Sequence, residues 1–295
     1  MAMPLNTFVK HLSAKGKDIY VVDDHHKALA AWVLVRRSLD FAPNLITIDH
    51  HTDTHEAFLG YAHCEAYEGR VEGQEEFRVG LVARIDWRND ASIAEAIGNL
   101  RHDEHIDAAT CSGVLDNAFC IQLSDSEGTL AVEQLAFEAS MRENWPNPPI
   151  VPKPRRPMTY DPAPNRVYAL PFDCFIGCQA RPHNDDCLVQ QSDEIIEARY
   201  LDDQIARGSE ISRCFGLPGL EAAPYILDID LDAFHSRRAI NPEDPSTFYR
   251  LIKNALAITI ATETECVEAE WLDDEDQMKS DELLQELLGH INKAL

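Results

Sequence analysis

Asn44-Leu45-Ile46-Thr47-Ile48-Asp49, running on into His50-His51-Thr52-Asp53-Thr54-His55, is the stretch on which the fold turns. Residues 44–49 are a short run dominated by β-branched and aliphatic side chains with no polar face, the pattern of a strand buried on both sides. Asp49, His51 and Asp53 then alternate, so they share one side of the chain if extension continues past the strand. Upstream, Asp18 to Val22 (DIYVV) is a second short run of this kind. Between the two, from about His26 to Leu39, apolar residues recur at helical spacing. Strand, helix and strand with short connections predict a parallel sheet with crossover helices.

The same alternation continues outward. Ser92 to Leu100 and about Glu104 to Leu115 read as helices, Asn117 to Leu123 as a strand and Leu130 to Arg142 as a helix. From Trp145 to Pro164 the pattern collapses, because this stretch carries eight of the sixteen prolines and must be extended or irregular. Strands resume at Arg166 to Leu170, Tyr225 to Asp230 and Ala257 to Thr262. A helical segment, Ser246 to Leu256, precedes the last of these, and Ser280 to Ala294 is an amphipathic closing helix. The expectation is an α/β fold: one three-layer domain over residues 1–295, with a mainly parallel sheet and a Pro-rich excursion at about 145–165. No internal repeat is evident.

The chain has 295 residues, with 26 Lys+Arg against 51 Asp+Glu, for a formal charge of −25. With 45% hydrophobic and 26% charged residues, it is not a disordered acidic chain. So negative a surface argues against nucleic acid and anionic membrane as partners, since both need neutralising Lys and Arg. It favours a cationic substrate or metal ions, or simply solubility. The N-terminus lacks a signal-peptide apolar core, and the longest wholly apolar run, Ala28 to Val35, is far too short to span a bilayer. With its eight cysteines, the chain reads as a cytoplasmic protein.

No glycine-rich phosphate loop, GxGxxG, HExxH, GxSxG or CxxC is present. Instead, His and Asp gather just beyond strands. Tyr20 to Val22 ends in Asp23-Asp24-His25-His26, Leu45 to Ile48 in the Asp49 to His55 cluster, and Tyr225 to Leu227 in Asp228-Ile229-Asp230-Leu231-Asp232. Ligands of parallel α/β sheets bind at the carboxyl ends of strands. Carboxylates crowded there repel one another unless a cation sits among them. Mixed Asp and His ligation suits Mn(II), Fe(II) or Zn(II), and a carboxylate-rich set leans to Mn.

In these motifs the chain resembles the arginase, agmatinase and deacetylase superfamily. Asp49-His50-His51-Thr52-Asp53 is similar to its DAHxD motif, Leu227-Asp228-Ile229-Asp230 to its LDIDxxDP motif, and Asp24-His25 to its GGDH motif. The nearer resemblance is to the peptide arginases, which convert arginine residues within ribosomally made peptides to ornithine. It rests on the acidic-acidic-His element, the DxHxD element, Glu104-His105-Ile106-Asp107-Ala108-Ala109, and LDIDLD followed by an aromatic residue, Phe234.

The resemblance implies two Mn(II) ions at the carboxyl ends of the strands of an arginase-like fold. One would be held by His25, Asp49, Asp53 and Asp228, the other by His51, Asp49, Asp228 and Asp230. His25 is preferred to His26 because it directly follows the acidic pair. The resemblance further implies that hydroxide attacks the guanidinium carbon, that Asp53 receives its proton, and that urea is released to leave ornithine. A proton-shuttling histidine, His102 or His105, and a guanidinium-binding carboxylate, Glu263 or Glu265, complete the implied set. His55 stands where enzymes for free arginine carry an Asn, which implies an arginine-containing peptide as substrate.

Two other enzyme readings share the fold: hydrolysis of a small guanidino compound, and amide deacetylation. A third is a non-catalytic metal- or peptide-binding module. Cys174, Cys178, His183 and Cys187 could close a separate tetrahedral zinc site, although their spacing is not that of a standard finger. The acidic run Glu263 to Asp276 reads by default as exposed surface.

Overall fold

The computed structural model describes residues 4–51, 53–122, 163, 165–170, 192–269 and 277–295. Its strands are β1 (Lys10–Ala14), β2 (Lys17–Val22), β3 (Asn44–Asp49), β4 (Ala118–Gln122), β5 (Val167–Ala169), β6 (Tyr225–Asp230) and β7 (Ala257–Ala261). They form one sheet in the order β1-β2-β7-β6-β3-β4-β5. Only the edge strand β1 runs antiparallel, folding back on β2 as a hairpin; every other pairing is parallel.

The helices are α1 (Ala28–Arg37), α2 (Leu59–Tyr67), α3 (Gln74–Val82), α4 (Asp90–Asn99), α5 (His105–Cys111), α6 (Ala198–Cys214), α7 (Arg237–Ile240), α8 (Ser246–Asn254), α9 (Thr264–Ala269) and α10 (Ser280–Ala294). Strand alternation divides them between two cores. Ile46 and Ile48, Leu227 and Ile229, and Ile258 and Ile260 face the side covered by α6, α8 and α10. Leu45, Ile226, Ala257 and Ala261 face the side covered by α1, α4 and α5. Helices therefore lie on both faces of a mostly parallel sheet, as a three-layer α/β domain requires. No described helix is long and apolar enough to cross a membrane.

The parallel strands β2, β7, β6 and β3 are consecutive in the sheet, so their carboxyl ends share one edge. Beyond β2, His25–Lys27 forms a single 3-10 turn leading into α1, whose Ala28 to Val33 are all buried. That burial anchors the turn above the sheet edge. All of the Pro-rich excursion except residues 163 and 165, the helix expected at Leu130 to Arg142, the Cys174/Cys178/His183/Cys187 group and residues 270–276 of the acidic run lie outside the described residues.

Candidate metal centre

Strand register determines which acids reach the sheet edge. Thr47 of β3 pairs with Asp228 of β6, and Asp228 with Thr259 of β7. Asp228 therefore lies level with Thr47, two residue pairs below Asp49, or about 7 Å deeper. Asp230 is the β6 residue at the level of Asp49. Thr47 Oγ1 donates to Asp228 Oδ2 at 2.9 Å, Thr259 Oγ1 donates to Asp228 Oδ1, and His25 Nε2 lies 2.7 Å from Asp228 Oδ2. Asp228 is fully buried.

The other ring nitrogen of His25 faces the opening. His25 Nδ1 is 2.9 Å from Asp53 Oδ2, 3.1 Å from Asp230 Oδ2 and 3.3 Å from Asp49 Oδ2. His25, Asp49, Asp53 and Asp230 are all buried. Asp53 reaches this position from a left-handed backbone, φ 47°, a conformation uncommon for a residue other than glycine. Beside this group, His51 Nδ1 is 3.2 Å from Asp232 Oδ2 and 4.0 Å from Asp49 Oδ1. Asp232 is held by the His50 amide at 3.3 Å, and its own amide donates to Asp230 Oδ1 at 3.1 Å. His235 is buried behind it, its ring 4.7 Å from that of His50.

The electrostatics are those of a site short of positive charge. Burial, then the charges of Asp53 and Asp232, push Asp49 up to about 8. Burial and Asp232 likewise push Asp230 well above the usual carboxylate range, against the opposing pull of His25. Burial disfavours charge on His25, but Asp228 and Asp230 outweigh it and hold the imidazole well above its ordinary value. At His51, Asp232 overcomes burial in the same way and raises the ring to about 10. In return, His51 overcomes the burial of Asp232 and holds that carboxyl below its ordinary value.

Neither His25 Nδ1 nor Asp49 Oδ2 makes a hydrogen bond to a described residue, although both are buried. Buried polar atoms left without partners point to a group that would satisfy them. Donors that bind a first-row cation at about 2.1 Å stand about 3 Å apart, which is the separation of His25 Nδ1 from its three carboxylates. The donor sets His25-Asp49-Asp230 and Asp49-His51-Asp232 could each hold a metal ion, with Asp49 common to both. The residues present therefore fit metal binding; they do not specify which metal or how many ions.

A cavity of about 270 Å³ opens onto these groups. It is lined by the buried Asp49, Asp53 and Asp230, by the exposed His51, and by His102, Glu263, Glu265 and Cys266. Glu263 Oε1 accepts the His25 amide at 2.7 Å, which ties the wall to the turn carrying His25. Glu265 is exposed at the start of α9. Burial, then Glu263 and Asp232, push the Cys266 thiol up to about 12, so it is no thiolate nucleophile at neutral pH. His105 is completely buried and does not line the cavity. Its ring stacks on Trp32, and its Nδ1 is 3.9 Å from Asp53 Oδ2. Burial, then His25 and His26, hold it well below its ordinary value, as a neutral imidazole.

Thus the structure brings together His25, Asp49, Asp53, Asp230 and His51, and places His102, Glu263 and Glu265 around the same opening. Two residues sit differently from the arrangement that the resemblance implies. Asp228, expected to bridge two ions, lies a layer below and is engaged by Thr47, Thr259 and His25. Asp232, absent from the expected set, takes the place beside His51 that was expected of Asp230. The acids of the Glu104 to Ala109 element serve the loop. Glu104 accepts the Gly60 and Arg101 amides, and Asp107 accepts the Ala57 amide and Asn165 Nδ2. No protein-family model, curated protein or solved structure matches the chain.

Proposed function

We propose that the protein is a binuclear, manganese-dependent hydrolase that cleaves the guanidinium of arginine side chains in a peptide, giving ornithine and urea. The observation that carries this reading is the convergence of Asp49, Asp53 and Asp230 on His25 Nδ1, with Asp49 shared by the His51–Asp232 pair. His25, Asp49, Asp53 and Asp230 would hold one ion, and Asp49, His51 and Asp232 the other. The mainly parallel sheet with helices on both faces accords with an arginase-like fold.

Two bound ions supply Lewis acidity that makes water a nucleophile at neutral pH. The protein's own groups do the rest. Glu263 and Glu265 on the cavity wall attract the guanidinium and orient its carbon toward the floor. Addition of water to that carbon and breakage of its bond to Nε free urea. Asp53 accepts the proton of the attacking water, and His102, exposed at the mouth, passes a proton to the departing amine. His105, sealed beneath the floor, supports His25 and Asp53 by packing and does not touch substrate. His55 Nδ1 is committed to Asp103 at 2.5 Å, which accords with a side chain that does not grip a free amino acid.

The cavity volume favours a second reading, since about 270 Å³ suits a small guanidino compound as well as one arginine side chain. Urea assays on Mn-loaded protein with an arginine-containing peptide, agmatine and free arginine separate the two. The expected outcome is urea from the peptide alone. Urea from agmatine alone establishes the second reading, and urea from none of the three overturns both.

A further inference from the structure

A buried polar chain runs from α1 into the sheet and ends on His25. Trp32 Nε1 lies 3.2 Å from Thr259 Oγ1. An indole nitrogen can only donate, so Thr259 accepts there and its own hydroxyl hydrogen is available to Asp228 Oδ1, the acceptor it contacts. Thr47 Oγ1 donates to Asp228 Oδ2 from the neighbouring strand. Both oxygens of Asp228 thus act as acceptors, which requires His25 Nε2, 2.7 Å from Oδ2, to be the protonated ring nitrogen. In a neutral imidazole the lone pair then falls on Nδ1, the atom that faces Asp49, Asp53 and Asp230. Trp32, Thr47, Asp228 and Thr259 are all buried, and Asp228 is paired to both threonines through sheet register, so the chain has no slack.

From this geometry we infer that Asp228 is a positioning residue and not a metal ligand: with Thr47, Thr259 and Trp32 it sets the tautomer and ring orientation of His25. The inference rests on the metal-binding part of the proposed function. A carboxylate behind a ligating histidine makes the ring more basic, and its loss weakens metal binding by about 10- to 100-fold without removing the site.

The test titrates wild type, Asp228→Asn, Thr259→Val and Asp230→Asn with Mn2+ alone, and measures bound metal at saturation. Asp228→Asn is expected to keep the full wild-type stoichiometry with one affinity weakened about 10- to 100-fold. Thr259→Val should weaken the same site by about tenfold, the low end of that range. Asp230→Asn should lose a whole equivalent. Nitrogen-15 spectra of the Zn-loaded wild type should show His25 protonated on Nε2, a readout that needs no variant and so stands if Asp228→Asn does not fold. Loss of a whole equivalent in Asp228→Asn, unchanged affinities in it, or a proton on Nδ1 overturns the positioning role while leaving the metal centre intact. A wild type that binds no cation overturns the proposed function and this inference together.

Discussion

At pH 7 the cation-free protein holds protons where the carboxylates converge, because Asp49 stands at about 8 and His51 at about 10. Both values lie above the ordinary 3.8 and 6.5, so the stability these protons confer is complete below the ordinary values. It is lost as pH rises through about 8 and about 10. Thermal melts of chelator-treated protein should therefore fall in midpoint between pH 7 and 10, while Mn-loaded protein falls less. A rise across that window in the chelated sample would contradict the assignment. Cation uptake must also expel these protons, so calorimetry in buffers of different ionisation enthalpy should show net proton release at pH 7. The sequence made the residue types plain and left their phase open. Asp228, Asp230 and Asp232 alternate perfectly, and any adjacent two could be the pair at the sheet edge. Pairing with Thr47 places Asp228 below the level of Asp49, and register between strands 181 residues apart is not written in local sequence.

At the level of elements, α5 does more than follow the loop that carries Asp53. Its Asp107 accepts the buried Ala57 amide at 2.8 Å and Asn165 Nδ2 at 2.8 Å. Asp107→Ala strands that amide and should cost about 1–3 kcal/mol in urea denaturation. Faster hydrogen exchange at Ala57 to Gly60 should accompany it; unchanged exchange there would show that the loop is held by other means. The strands β2, β3, β6 and β7 could be read from sequence because each is a short apolar run bounded by polar residues. Helices α2 and α3 could not, since α2 buries only Ala62 and α3 only Arg78 and Leu81. Helix α6 was hidden differently: Gln204, Gly208, Ser209 and Ser212 occupy its buried face and blur the apolar stripe. The edge strand β1 is largely exposed and draws its order from pairing with β2.

Over the whole molecule, the charge of −25 acts at longer range than any single contact. For the proposed peptide substrate, kcat/KM should fall as salt is raised from about 0.01 to 0.15 M, where the screening length shrinks from about 30 to 8 Å. A rate indifferent to salt would leave solubility as the role of the charge. The proposed metal centre also bears on how the chain assembles. Its groups come from segments as distant in sequence as His25 and Asp230, and they meet only once four adjacent strands are in register. A cation can grip the chain only after that long-range pairing is complete. A bound cation would therefore contribute little to the speed of folding and act chiefly as a latch that slows unfolding.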